Sequence, residues 1–158
     1  MQNMIKNALN GADLKYQTLR QNENQIVLKL GMQLENGRTD TFIDIRPNED
    51  QVIIQTALPN NIPANHRDRM ANFLTRANHG LIIGNFEMDY SDGEVKYKVT
   101  FIYDSTIEKS GMVFLRNLFT SFTMMDKYLP GIMSVIYANV SPENAIHQVE
   151  NTANPKMN

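Results

Sequence analysis

Three kinds of side chain in this sequence could take part in acid–base or metal chemistry: the histidines, the closely spaced carboxylates and one aspartate within an apolar segment. The histidines are His66, His79 and His147, and no two of them have the short spacing that brings two imidazoles to one metal ion. We expect surface or capping positions for all three. The chain has no cysteine, which excludes disulfides, thiolate metal sites and a cysteine nucleophile.

Two pairs of carboxylates have strand spacing, Asp40 with Asp44 and Glu87 with Asp89. Carboxylates spaced in this way can bind a metal ion or act as acid and base. The same pattern on the outer face of a sheet, opposite lysines, is typical of solubilising charge that sets strand register. We therefore predict no catalytic role for either pair, and no metal or cofactor site.

Asp126 lies near the apolar stripe of a long helical segment, four residues before Pro130. Proline has no N–H and crowds the carbonyl four residues earlier, so a kink is predicted near Asp126. An aspartate there could belong to an active site, or it could satisfy backbone donors near the proline. The second, structural role is favoured. The glycines of the run 80–84 are not followed by a phosphate-loop lysine, and no Gly-x-Ser-x-Gly elbow occurs.

Composition limits the class of protein. The chain has 158 residues, of which 42% are hydrophobic, and a formal net charge of -2. These values are typical of a globular domain and argue against a general nucleic-acid binder, which needs a basic excess. We predict a single domain over residues 1–150, a frayed polar tail over 151–158 and, from the absence of cysteine, signal peptide and membrane span, a cytoplasmic protein.

Alternation of apolar and polar residues predicts the strands. Five apolar side chains alternate over residues 26–34, and Asn36-Gly37 is a hairpin signal. Further strands are predicted at 41–45 and 52–58, and a second hairpin at 86–90 and 95–103, with a weak strand at 16–19. Helices are predicted at 3–9, from Pro63 to Gly80, at about 107–137 with Ser105 or Thr106 as N-cap, and after Val140 with Ser141 as N-cap. The prediction is an α+β fold, in which an antiparallel sheet (a three-stranded meander plus a hairpin) packs against helices.

The helix predicted at about 107–137 has two apolar faces. At 100° per residue, nine large side chains form one broad stripe, which we expect to face the sheet. They are Leu115, Leu118, Phe119, Phe122, Met125, Leu129, Ile132, Met133 and Ile136.

A second apolar line on this helix consists of Val113, Met124, Tyr128 and Val135. It is either a partner or dimer surface, or it is covered by another element such as the N-terminal helix. On the first alternative, a Tyr128→Glu substitution would separate a dimer without unfolding the domain.

Two segments carry a resemblance to a known family. Residues 78–89 read NHGLIIGNFEMD and residues 92–99 read DGEVKYKV, while 126–130 and 141–143 supply further matches. The chain resembles the YbjN-like family of bacterial proteins over roughly residues 10–150. That family is similar in fold to type III secretion chaperones, which are dimers that bind extended segments of a partner, and its members have been described as sensory transduction regulators. The resemblance implies no catalytic residues.

The sequence therefore predicts a non-enzymatic protein- or peptide-binding domain. We expect it to form a homodimer and to bind an unidentified protein or peptide through a sheet edge or the helix face near Met124 and Tyr128, with no nucleic-acid or membrane partner. The alternative is a small-molecule sensor or an unrecognised enzyme that uses a pocket between the long helix and the sheet.

Overall fold

The computed structural model describes residues 1–103 and 110–152, and within these ranges the chain forms six strands and four α-helices. The strands are β1 (Gln17–Gln21), β2 (Ile26–Gln33), β3 (Arg38–Arg46), β4 (Gln51–Ala57), β5 (Asn85–Met88) and β6 (Val95–Ile102). The helices are α1 (Gln2–Gly11), α2 (Arg67–Asn78), α3 (Ser110–Tyr137) and α4 (Pro142–Thr152). The predicted α+β fold is confirmed. The proposed caps Ser105 and Thr106 lie outside the described residues, as do residues 153–158.

The six strands form one antiparallel sheet in the order β1-β2-β3-β4-β6-β5. The predicted meander is β2-β3-β4, and the predicted second hairpin is β5-β6, whose longer strand pairs with β4. The weak strand near residue 17 is β1, and it pairs with β2 at one edge of the sheet. Residues 58–84, which include α2, therefore connect β4 to β5 at the opposite edge of the sheet.

The helices cover one face of this sheet. α3 contacts β4 and β6, α2 contacts β5, and α1 packs against α3. α4 packs against both α2 and α3. Inward-facing strand residues such as Leu28, Ile43, Ile54 and Tyr97 are fully buried beneath the helices. Among the described helices, none has the length and apolar character needed to cross a lipid bilayer.

The turn between β2 and β3 is fastened to α3 at Pro130. Pro130 lies inside α3 and has no N–H to donate to the Asp126 carbonyl. The Asn36 side-chain amide donates to that carbonyl instead (Nδ2 to O, 3.2 Å), and the Asn36 backbone N–H donates to Asp126 Oδ1 at 2.8 Å. A Cβ on Gly37 would lie 2.6 Å from Leu129 Cδ2, so a larger residue there would require the buried Leu129 side chain to shift. The turn lies where predicted, but Gly37 serves close packing, because neither Asn36 nor Gly37 has a positive φ.

A chain of buried hydroxyl groups crosses from the sheet to α3. Thr41 Oγ1 lies 3.0 Å from Thr56 Oγ1, which lies 2.9 Å from Ser121 Oγ, and Ser121 donates to the Leu118 carbonyl. Thr39 is equally buried on the same face of β3, but its hydroxyl has no hydrogen-bond partner in the described part of the chain.

These two kinds of buried threonine predict stability changes of opposite sign. Thr56→Val should lower the free energy of unfolding by about 1–3 kcal/mol, because the hydroxyls of Thr41 and Ser121 lose their shared partner. Thr39→Val should raise it by about 1 kcal/mol, because an unpaired buried hydroxyl is replaced by a methyl group. Urea midpoints of the two variants measure the difference. Shifts of the same sign would show that the hydroxyl pairing is not as described.

Candidate binding surface on the longest helix

The second apolar line predicted on α3 is not one surface. Val113 is 42% exposed and Met124 is partly buried, whereas Tyr128 and Val135 are 2% and 0% exposed. The prediction is therefore wrong for Tyr128 and Val135. The physical reason is that α2 and α4 pack against α3 in addition to the sheet, so the buried sector of α3 is wider than one sheet contact requires.

Tyr128 belongs to an aromatic cluster in the core. Its ring makes edge-to-face contacts with Phe86 and Phe73, with centroids 5.4 and 6.4 Å apart, and Phe86 stacks similarly on Tyr97. The hydroxyl of Tyr128 donates to Glu150 on α4, and that of Tyr97 donates to the Ile83 carbonyl. Tyr128 thus joins α3 to the sheet, α2 and α4.

The two buried tyrosines predict a loss of stability in alkali. Burial raises the pKa of Tyr97 to about 12, and burial together with the Glu150 carboxylate raises the pKa of Tyr128 to about 12. In the unfolded chain a tyrosine ionises near pH 10, so above that pH the unfolded state loses protons that the folded state keeps. The free energy of unfolding is unaffected by these groups below pH 10 and decreases as the pH rises from about 10 to 12.

At pH 11 the two tyrosines together should cost about 1–3 kcal/mol. Urea unfolding at pH 9 and pH 11 measures this difference. The double variant Tyr97→Phe, Tyr128→Phe should lose most of it, and an unchanged pH dependence in that variant would rule out the tyrosines as its source.

Several large apolar side chains of α3 are exposed instead. Phe119 and Met133, which were predicted to face the sheet, are 46% and 37% exposed, and Met112 and Tyr137 are 66% and 77% exposed. At 100° per residue these four side chains fall within a sector of about 60° on the side of α3 away from the sheet. We call Met112, Phe119, Met133 and Tyr137 the outer stripe of α3. Its signal in the sequence is a seven-residue spacing that joins Met112, Phe119 and Met133, with the polar residue Asp126 at the intervening position.

A groove between α1 and α3 adjoins the first residue of the outer stripe. It has a volume of about 610 Å³ and a mostly apolar lining. The side chains on its walls are Met4 and Ala8 from α1, and Met112 and Leu115 from α3. Gly111 brings the two helices together, since a Cβ at this position would lie 3.3 Å from Met4 Sδ. The groove is therefore a shallow, open apolar depression bordered by flexible methionine side chains.

A second concavity lies over the middle of α3, between the β2–β3 turn and α4. It also measures about 610 Å³ and is more enclosed and more polar. Glu35, Thr123, Asp126, Lys127 and Pro130 are among the residues that line it. We call it the Pro130 cleft. It is bordered by the β2–β3 turn, α3 and α4, whereas the sequence alternative placed a pocket between the long helix and the sheet.

The edge of the sheet at β5 is blocked to strand addition at Phe86. The Asn78 side chain accepts from the Phe86 N–H at 2.7 Å and donates to the Phe86 carbonyl at 3.0 Å. These are the backbone groups that an added strand would use at this position. At the other edge, β1 is exposed, but its pairing with β2 is irregular between Thr18 and Arg20. The sheet edges are thus weaker candidates for a binding surface than α3.

The residues considered for catalysis or metal binding are dispersed or ion-paired. Asp40 pairs with Lys29 at 2.8 Å and Glu87 with Lys98 at 3.0 Å, both on the sheet face that no described helix covers. Asp126 has the structural role that was favoured, but the backbone donor it satisfies is the Asn36 N–H of the β2–β3 turn and not a donor of α3. Within residues 1–103 and 110–152, no three His, Asp or Glu side chains are grouped closely enough to hold a metal ion. Over the same ranges, the structure brings none of the sequence candidates together into a catalytic arrangement.

No known protein family matches the chain, and no curated protein matches it either.

Proposed function

We propose that this chain is a non-enzymatic protein- or peptide-binding domain, and that its binding surface is the α1–α3 groove together with the adjoining outer stripe of α3. The observation that carries the proposal is the position of Met112, which is 66% exposed and forms both a wall of the groove and the start of the stripe. Scattered exposed apolar residues are ordinary, but an apolar depression with exposed apolar side chains beside it is typical of a docking surface.

The shape of the site favours a helical or extended segment over a small ligand. The groove lies along two helices, and helix-lined grooves of this kind accept the apolar side chains of an amphipathic segment. Methionine side chains on both walls can adapt to such side chains because the thioether chain is flexible and polarisable. The partner of the proposed function is therefore a segment of another protein.

Fewer surface residues support the expected homodimer than the sequence suggested. Two of its four predicted contact residues, Tyr128 and Val135, are in the core, which leaves Val113 and Met124. The likeness to the YbjN-like family, and through it to type III secretion chaperones, remains a prediction consistent with this proposal. The cytoplasmic location also remains a prediction. Light scattering during size-exclusion chromatography separates a dimer from a monomer, and a monomer at high concentration would remove the homodimer.

The experiment that tests the proposal compares two single variants in affinity purification from the native cell. Met112→Gln removes an apolar wall of the groove, and Ile82→Gln is the matched control, because Ile82 is 97% exposed on the loop before β5. We expect partner proteins to be recovered with the wild type and the control and to be lost with Met112→Gln. Equal recovery with all three proteins would show that the groove is not the binding surface.

The Pro130 cleft supports a second candidate function, the binding of a small polar molecule. This function is supported by the charged and hydroxyl side chains that surround one concavity of about 610 Å³, those of Glu35, Asp126, Lys127 and Thr123. A thermal-shift screen against metabolites and nucleotides discriminates between the two functions. A shift of several degrees with one compound, abolished by Thr123→Val but not by Met112→Gln, would favour this second function.

A further inference from the structure

Two Asn-Gly dipeptides occur in this chain, Asn10-Gly11 and Asn36-Gly37, and both asparagines are exposed. Asn-Gly is the dipeptide most prone to deamidation, because glycine has no side chain to hinder the attack of its backbone nitrogen on the asparagine side chain. The two dipeptides are equivalent as sequence. The structure places them in different surroundings, so their reactivity should differ.

Asn10-Gly11 is held by the last turn of α1. Gly11 is the final residue of the helix, where its N–H donates to the carbonyl four residues earlier. The N–H groups of residues 12–14 donate in turn to the carbonyls of Ala8, Asn10 and Leu9, and Leu9 is fully buried. The Gly11 nitrogen can therefore reach the Asn10 side chain only when the end of a packed helix unwinds.

Asn36-Gly37 lies in the β2–β3 turn, outside both strands. Within the described part of the chain the Gly37 N–H has no hydrogen-bond acceptor, although the Gly37 carbonyl accepts the Leu34 N–H at 2.8 Å. Asn36 is held by its two hydrogen bonds to Asp126, one from its backbone N–H and one from its side-chain Nδ2. Both bonds are exposed, so the turn can open without unwinding a helix.

We propose that Asn36 is a site of spontaneous deamidation, and that the reaction permanently releases the β2–β3 turn from α3. In the open turn the Gly37 nitrogen attacks Asn36 Cγ and closes a succinimide ring. The Cγ–Nδ2 bond breaks, and Nδ2 leaves as ammonia with the proton of the Gly37 N–H. Water then opens the ring at either carbonyl and leaves an aspartate or an isoaspartate at position 36.

The product cannot restore the contact with α3. The Asp126 carbonyl loses the Nδ2 donor that replaces the missing Pro130 N–H, and the new carboxylate is repelled by that oxygen and by the Asp126 carboxylate. An isoaspartate also lengthens the backbone, which displaces Gly37 from Leu129. Position 36 lines the Pro130 cleft, so the cleft becomes more acidic as well.

Peptide mapping of the full chain by mass spectrometry tests the proposal, with Asn10 as the internal control. The folded protein and the protein in urea are kept in mildly alkaline buffer, and the replacement of the amide NH2 by OH is followed at both asparagines. We expect similar rates at the two positions in urea. In the folded protein we expect both rates to fall, with Asn10 about tenfold slower than Asn36, because the helix end opens less often than the turn.

Two variants test the role of the contact with α3. Asp126→Ala should speed the deamidation of Asn36 in the folded protein about twofold to tenfold, because one of the two hydrogen bonds that close the turn is lost. Asn36→Asp reproduces one product and should lower the urea midpoint, whereas Asn10→Asp adds the same charge at an exposed position and should leave the midpoint near that of the wild type.

The contradicting results are equally defined. Equal rates at Asn10 and Asn36 in the folded protein, or an Asn36 that reacts in urea and not in the folded protein, would overturn the modification site. An unchanged rate in Asp126→Ala would overturn the protection by Asp126. Equal urea midpoints for Asn36→Asp and Asn10→Asp would overturn the release of the turn.

Discussion

Replacing Tyr128 with glutamate should unfold the domain. The substitution places a carboxylate where a ring 2% exposed contacts Phe73 and Phe86, close to the carboxylate of Glu150. The lost aromatic packing costs about 3–5 kcal/mol, and burial of an unpaired charge adds several more. The sum of more than about 5 kcal/mol is comparable to the whole stability of a typical domain.

Circular dichroism and urea unfolding of the variant measure this effect. The control is Val113→Glu, which places the same side chain on the same helix at a position 42% exposed. We expect the control to fold with a change below about 1 kcal/mol. A Tyr128→Glu protein that folds like the control would show that Tyr128 is at the surface. The sequence-based expectation of a folded, dissociated dimer for Tyr128→Glu does not agree with its burial.

Gly93→Ala should be the second most damaging of these substitutions. Gly93 has a φ of +87°, and a Cβ there would lie 2.2 Å from the Ile62 carbonyl oxygen and 2.9 Å from the Ile62 nitrogen. The Gly93 carbonyl also accepts the Ile62 N–H at 2.8 Å. The left-handed conformation costs an alanine about 1–2 kcal/mol, and displacement of a hydrogen-bonded backbone segment adds about 1–3 kcal/mol.

Gly80→Ala separates these two contributions. Gly80 has a φ of +95°, but a Cβ at this position would meet no atom within 4 Å in the described part of the chain. We expect Gly80→Ala to lower the free energy of unfolding by about 1–2 kcal/mol and Gly93→Ala by about 3–5 kcal/mol. Thermal or urea unfolding of both variants gives the comparison. Equal losses would mean that the contact with Ile62 is looser than the structure indicates.

The strands of the sheet could be predicted from the sequence because the alternation of apolar and polar residues is a local pattern. A strand with one buried face alternates, so the apolar residues Leu28, Ile43 and Ile54 identified the inner face of β2, β3 and β4. The turn residues placed the hairpins, although Asn36 and Gly37 do not adopt the positive φ that the pair usually signals. Ser141 was predicted correctly as the cap of α4 (Asn144 N–H to Ser141 Oγ, 3.3 Å). The placement of β6 between β4 and β5 required pairing across more than about 40 residues, which local patterns do not encode.

The orientation of α3 could not be predicted, because apolar residues occupy most of its circumference. Periodicity identified Phe122, Met125 and Ile132 as core, but it also assigned Phe119 to the core and Tyr128 to the surface. Which apolar sector is buried depends on how many neighbours the helix has, and α2 and α4 add to the contact with the sheet. Tyr128 and Val135 were consequently assigned to a surface that they do not reach.

The connection between Asn36 and Asp126 shows the same limit. Pro130 indicates an unbonded carbonyl at Asp126, and Asn36-Gly37 indicates a turn, but their contact spans 90 residues. The sequence therefore indicated an unbonded carbonyl and a turn, but it did not indicate that the turn supplies the hydrogen-bond donor for the carbonyl. The groove between α1 and α3 could not be predicted for a similar reason, since its walls come from segments that are far apart in the chain.

Site-specific photo-cross-linking tests the central claim, that the outer side of α3 with the α1–α3 groove contacts a partner protein. A photoreactive phenylalanine analogue is placed at Met112 or Phe119, and at Ile82 as the control for exposure. We expect a cross-linked protein partner from positions 112 and 119 in the native cell and none from position 82. Cross-links from position 82 alone, or equally from all three positions, would contradict the account.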